Sequence, residues 1–276
     1  MTPLVSVVIP CFRAADTLAR AVDSLRAQTL GDWEALVVSD DGQDYRPLLA
    51  PDPRLVFLST GRVGGGAPAA RNVGLAAARG QLVAPLDADD LYLPRRLERL
   101  APLALAAGAA FDDVRVVEEE SGRTLQLLFG RAQDFTLDAA GFFQTSVPLM
   151  PLFRRALSPG WDAAVELCDD VAFNLRLLDR VPAIPVTAEA LHEYRVRPGS
   201  ICHAEDSAAR AERGYATLLA RLAADGYGLR DPALVRLATR AIGAKQALNR
   251  TFAAAQAAGA VATFQEFIAR RAAKPS

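Results

Sequence analysis

The sequence predicts an α/β fold: a mostly parallel central sheet flanked by helices, followed by a helical C-terminal extension. Three observations predict it. Short, β-branched, nearly all-apolar runs recur through the N-terminal third of the chain, as expected for strands buried on both faces. Stretches with helical spacing alternate with them, the pattern of a parallel sheet. Acidic or polar clusters fall where the apolar runs stop, and ligands of such sheets sit beyond the carboxyl ends of the strands.

Leu4 to Pro10 reads as the first strand. Asp16 or Thr17 can cap a helix whose apolar positions Leu18, Val22 and Leu25 share one face. Glu34 to Ser39 is a second strand, ending in the corner Asp40-Asp41-Gly42, and Leu55 to Leu58 is a third. Pro68 suits the first turn of a helix that stops near Gly80. Gln81 to Leu86 is a fourth strand, halted at Asp87, and Pro94 opens the next helix. Further on, Asp113 to Glu118 and Thr124 to Phe129 flank Ser121-Gly122 as a hairpin. Val147 to Phe153 and Ala183 to Val186 read as strands, with a helix around Asp170 to Arg180 between them. From Glu205 the Ala/Arg/Leu-rich sequence predicts two or three helices.

The composition narrows the classes. Lys and Arg number 31 against 32 Asp and Glu, a net charge of -1, which argues against a nucleic-acid partner. The three cysteines, Cys11, Cys168 and Cys202, show no CxxC spacing, so neither a disulfide framework nor a cysteine zinc site is expected. No basic segment precedes an apolar N-terminal stretch, and no uncharged apolar run reaches about 18 residues. A cytoplasmic protein is therefore expected, with peripheral contact at the inner face of a membrane left open.

Asp87-Ala88-Asp89 is the leading candidate for chemistry. Carboxylates are hard oxygen ligands suited to Mg2+ or Mn2+, which commonly take one or two of them plus substrate phosphates. An acidic loop capping the following helix would look the same. Asp40-Asp41-Gly42 suits either hydrogen bonding to a ribose or base, or an ordinary turn. Gly61 to Gly66 lacks both the Lys-Ser/Thr of a P-loop and GxGxxG spacing, so it reads as a mobile loop entering a helix. Asp169-Asp170 opens a helix with Phe173, Leu177 and Leu178 on one side. Adjacent carboxylates raise each other's pKa, which suits a general base, but the helix dipole also favours acids there. His192 and His203 lack HxH or HxxxH spacing and read first as structural. His203 follows Arg195 to Ser200, a segment able to close over phosphates with Arg197 as a diphosphate clamp.

Four segments in register resemble family 2 of the inverting glycosyltransferases with the GT-A fold, the nucleotide-diphospho-sugar transferase fold. They are VSVVIPCFRAADTLARAVDSLRAQTLGDWEALVVSDDGQD (Val5 to Asp44), APAARNVGLAAARGQLVAPLDADD (Ala67 to Asp90), LCDDVAFNLRLL (Leu167 to Leu178) and EYRVRPGSI (Glu193 to Ile201). The resemblance implies a GT-A domain over 1–204 and a helical extension over 205–276. Pro10, Cys11 and Phe12 would line the nucleotide pocket, Asp41 would bind the base, and Arg71 would lie near the nucleotide. Asp87 and Asp89 would form a DxD signature for Mn2+ or Mg2+, with Asp89 the more direct ligand and His203 a further candidate. Asp170 would be the catalytic base. The implied reaction is inverting transfer from a nucleotide-sugar, UDP favoured, to a saccharide or lipid-linked saccharide acceptor in bacterial polysaccharide or glycolipid synthesis. Phe12-Arg13 departs from the family's frequent Tyr-Asn, Asp169 from Glu, and Arg197 from His.

Two other classes compete. A nucleotidyltransferase would carry a Gly-rich basic first loop, which Pro10 to Arg13 is not. A nucleotide- or glycan-binding scaffold would not need the four acids Asp41, Asp87, Asp89 and Asp170. Phe264, Phe267 and Ile268 beside Arg270 and Arg271 form an amphipathic helix, suited to packing, to a membrane surface or to a homodimer through the C-terminal helices.

Overall fold

A computed structural model describes residues 2–165, 167–197, 206–261 and 264–272. The chain divides into two compact units, one of residues 1–163 and 169–196, the other of 164–168 and 197–276.

The first unit starts with strand β1 (Val5–Cys11), helix α1 (Leu18–Arg26), β2 (Trp33–Ser39), β3 (Leu55–Ser59), α2 (Ala67–Ala77) and β4 (Leu82–Pro85). The order β3-β2-β1-β4 is parallel throughout. Side chains of a strand alternate between faces. On one face Val5, Val7 and Ile9 pack with Val37 and Leu82 against Leu18, Val22 and Leu25 of α1. On the other, Val8 and Val38 meet α2, where a Cβ added at Gly74 would lie 2.3 Å from Val8 Cγ1. The missing side chain lets α2 sit close on the sheet. Thr17 does cap α1 by position, but its side chain makes no capping hydrogen bond.

Next come β5 (Leu91–Tyr92), α3 (Arg96–Ala107), β6 (Ala109–Glu118), β7 (Thr124–Leu127), β8 (Phe135–Leu137), α4 (Ala139–Phe142), β9 (Leu152–Arg154), α5 (Asp169–Leu178) and β10 (Ile184–Val196). The full order is β3-β2-β1-β4-β9-β6-β10-β5, with β7 on β6 and β8 on β10. The hairpin at Ser121-Gly122 is present as β6 and β7. Two expectations are corrected. The strand predicted from Val147 begins only at Leu152. The carbonyls of Leu149 and Met150 instead accept hydrogen bonds from Asn174 Nδ2 (2.8 Å) and Arg96 Nη2 (2.6 Å), which satisfy this buried backbone without a ladder. The strand predicted to stop at Val186 runs to Val196, because two register shifts between Thr187 and His192 let it keep pairing with β6.

The second unit contains α6 (Ser207–Asp225), α7 (Pro232–Ala257) and α8 (Phe264–Ala272). Asp231 caps α7 through Ala233 N–H at 2.8 Å. Phe267 of α8 packs on Phe252 of α7, with Phe264, Ile268 and Ala208 around them, so the apolar side of α8 is covered within this unit. Among the described residues no helix is long and apolar enough to cross a membrane.

Candidate functional site

The acidic segment follows directly from β4. Leu86 N–H still bonds Val8 O at 2.9 Å, and the chain then turns, with Asp90 N–H on Asp87 O at 3.0 Å. Ala88 and Asp90 are buried by that turn, whereas Asp87 and Asp89 stay half-buried. Arg71, projecting from α2, is only 3% exposed. Its Nη2 donates to Asp87 Oδ1 at 2.5 Å and its Nη1 donates to Asp169 Oδ2. Burial alone would favour the neutral form of Arg71, but the charges of Asp87, Asp169 and Asp170 outweigh it and hold the cation. Burial pushes the Asp169 carboxyl up; Arg71 opposes that, Asp87 adds to it, and the balance stays above the ordinary aspartate range.

Helix α5 is anchored beside this cluster. Asn72, next to Arg71, donates to Trp161 O and accepts from Trp161 N–H, both at 2.8 Å. The Trp161 ring stacks on Phe173 of α5 with centroids 4.2 Å apart. Arg176 of α5 returns a bond to Gly160 O at 2.5 Å. Asp170 is half-buried on the first turn of this helix.

At the end of β1, Pro10 is half-buried, Cys11 is buried and Phe12 is 45% exposed. The Cys11 thiol faces the core, and burial together with the nearby Asp41 charge keeps it protonated. Only the backbone of Cys11 is thus available at this corner, and its carbonyl already accepts Asp40 N–H at 2.8 Å. Arg13 occupies the left-handed region at φ 52°, uncommon for a residue with a Cβ. Its N–H donates to Asp41 Oδ2 at 2.6 Å, and Tyr45 Oη donates to the same oxygen at 2.7 Å. Asp41 Oδ1 accepts from Gln43 N–H and Ser39 Oγ at 3.0 and 3.1 Å. Burial would raise the Asp41 carboxyl, but these four donors more than offset it and hold the group ionised below its usual range. Asp41 therefore ties the ends of β1 and β2 together.

Several residues of this region have tasks that the sequence left open. Asp40 is buried and accepts from Gly65 N–H (3.0 Å), Gly66 N–H (2.7 Å) and Thr60 Oγ1 (2.8 Å). The glycine segment read as a mobile loop is thus pinned through its backbone, and glycine is required because Gly64 and Gly66 have φ of 73° and 88°. Asp90 and His192 form a buried pair, with Oδ2 and Nε2 3.1 Å apart. Burial pushes Asp90 up, with Asp87 adding to it, and burial and the Arg96 charge push His192 down to about 4. His192 is buried, with Asp90 as its side-chain partner. The acidic triplet's extra Asp was the available clue for Asp90.

The fold thus brings Asp87, Arg71 and Asp169, with Asp170 beside it, into one cluster, and sets Asp41 with Phe12 and Arg13 at the neighbouring strand ends. Arg197 belongs to the second unit, and His203 lies outside the described residues. Among the described residues no three His, Cys, Asp or Glu side chains converge as a ready metal cage. Asp87 and Asp89 are a two-carboxylate set of hard oxygens, the donor chemistry of a divalent ion that completes its shell with phosphate and water.

Residues 6–163 match the family described as Glycosyl transferase family 2. The chain is 34% identical over 223 residues to the succinoglycan biosynthesis protein ExoO of Rhizobium meliloti (strain 1021), covering 72% of this chain and 62% of that protein. It is 34% identical over 111 residues to the UDP-Glc:alpha-D-GlcNAc-diphosphoundecaprenol beta-1,3-glucosyltransferase WfgD of Escherichia coli, covering 39% of this chain and 44% of that one. The chain therefore spans less than two thirds of the length of these two relatives. Among solved structures it is similar to S. aureus TarS 1-349 in complex with UDP-GlcNAc, with a TM-score of 0.60 at 17% identity and 92% of each chain covered. The complex of the same protein with UDP gives a TM-score of 0.59 at 18% identity, covering 92% of this chain and 91% of that one. These likenesses establish the GT-A architecture.

Proposed function

Because the chain belongs to glycosyl transferase family 2, we propose that it transfers a sugar, with inversion, from a UDP-sugar to an acceptor hydroxyl in bacterial polysaccharide or glycolipid synthesis. The observation that carries this reading is the pair of carboxylate contacts made by Arg71, which join the acidic end of β4 to the first turn of α5. One acidic group for the donor and one for the acceptor are what a single in-line displacement requires.

Asp170 takes the proton from the acceptor oxygen as that oxygen attacks the anomeric carbon, an assistance that typically contributes about 10²–10⁴-fold. Asp87 and Asp89 would hold Mn2+ or Mg2+, with Asp89 as the more direct ligand. A bound divalent ion would supply charge neutralisation on the departing diphosphate. Asp41, with Pro10, Cys11 and Phe12, receives the nucleotide. Asp41 is ionised and can accept an N–H from a base only by giving up one of its present donors. UDP and a lipid-linked saccharide acceptor are favoured because the name of WfgD specifies both for that relative.

Calorimetric titration with UDP, with and without Mn2+, followed by hydrolysis of a panel of UDP-sugars, tests the proposal. Metal-dependent UDP binding and release of sugar from one donor are expected. Metal-dependent binding with no turnover of any donor would leave a binding scaffold and sink the transferase reading.

A further inference from the structure

We infer that Arg71 is a positioning residue, coupling the acidic end of β4 to the helix that bears Asp170 by holding Asp87 and Asp169 on one guanidinium. This rests on the transferase reading above and goes beyond it, because the resemblance implies only that Arg71 lies near the nucleotide.

Both terminal nitrogens of Arg71 are already committed, while its buried Nε has no partner among the described residues. The side chain is almost fully buried, and each terminal nitrogen is committed to a different carboxylate. Those carboxylates come from segments far apart in sequence, 16 and 98 residues from Arg71. The planar fork of a guanidinium can bridge two such groups at fixed angles, which the point charge of a lysine cannot. Three carboxylates, Asp87, Asp169 and Asp170, act on this one cation. Without it, the half-buried Asp87 and Asp169 would lose the guanidinium that both now contact, and their mutual repulsion would act on the two segments that carry them. The neighbouring Asn72, through Trp161 and its stack on Phe173, braces α5 from the same turn of α2. Arg71 and Asn72 therefore set the separation of the two acidic segments.

The test is a double-mutant cycle of Arg71→Gln and Asp169→Asn, with Arg71→Lys as the conservative variant. Each is measured for urea midpoint, UDP affinity by calorimetry, and kcat and KM on the preferred donor. Arg71→Gln is expected to lower kcat by about 10²-fold or more, a loss well beyond any fall in UDP affinity. Asp169→Asn added to Arg71→Gln should recover kcat about tenfold and raise the urea midpoint, because it removes the charge that Arg71 neutralised. Arg71→Lys should fall between Gln and the natural residue. A tenfold loss of UDP affinity at unchanged kcat would assign Arg71 to the nucleotide instead and overturn the inference. So would strict additivity of the two substitutions in both midpoint and kcat. If Arg71→Gln does not fold, Arg71→Lys with and without Asp169→Asn supplies the same comparison. The urea cycle needs no activity, so a chain that transfers no sugar would defeat the transferase reading while the Arg71–Asp169 coupling is still decided.

Discussion

The Asp90 carboxylate accepts the backbone N–H of Arg195 at 2.9 Å through Oδ1 while Oδ2 meets His192 at 3.1 Å. The turn after β4 is thereby fastened to the far end of β10, more than a hundred residues later. Replacing Asp90 with Ala leaves a buried imidazole and a backbone N–H without their partner. We predict a loss of about 3 kcal/mol, read from urea unfolding. Asp90→Asn, which keeps an acceptor for Arg195 N–H, should lose less.

Asp170→Asn removes the proton acceptor while keeping size and shape. A fall in kcat of about 10²–10⁴-fold is expected, with UDP affinity largely retained. Turnover equal to that of the natural chain would take Asp170 out of its role.

Gly74 is where α2 touches the sheet most closely. Alanine there would place its Cβ against Val8 Cγ1 at 2.3 Å, and β-branched valines in a buried strand have little freedom to yield. Helix propensity gains about 1 kcal/mol from Gly→Ala, but overpacking costs about 1–3 kcal/mol. A net destabilisation is expected, larger for Gly74→Val, together with reduced turnover because α2 carries Arg71. Chemical denaturation and steady-state assays of both variants check this.

Acid should weaken the first unit through a definite set of groups. Hydrogen bonds from Arg54 hold Asp52 down to about 2, against modest burial. Burial would raise Glu34 and Glu119, but donors from Ser6 and Arg79, and from Arg20 and Arg195, outweigh it. These native pKa values lie below the unfolded ones, so their stabilisation is complete above the ordinary carboxylate range. It is lost as pH falls through the native values, which for Asp52 means from just below 4 down to about 2. Asp52→Asn should lower stability at pH 7 by on the order of 1 kcal/mol, allowing for solvent screening, and by much less near pH 2, where about half of the native carboxyls are protonated. Urea midpoints at the two pH values decide it.

Local patterning was enough to read β1 to β4, the helices between them and the acidic strand ends, because buried parallel strands are continuous apolar runs whose boundaries are set by neighbouring residues. The same holds for the order of the candidate acids, Asp41, Asp87, Asp89 and Asp170, which the strand and helix boundaries place in sequence. Where local spacing failed, the cause was distant. The stretch before Leu152 is satisfied by side chains of Arg96 and Asn174, and β10 keeps pairing through two register shifts against β6. Which acid does which task inside the fold was likewise decided by tertiary contacts. Asp40 holds the glycine loop, Asp41 joins two strand ends, Asp90 locks onto β10, and Asp87 shares Arg71 with Asp169. Four aspartates look alike in sequence because each carries the same charge. They differ in the folded chain because burial and the donors that reach them come from residues many positions away.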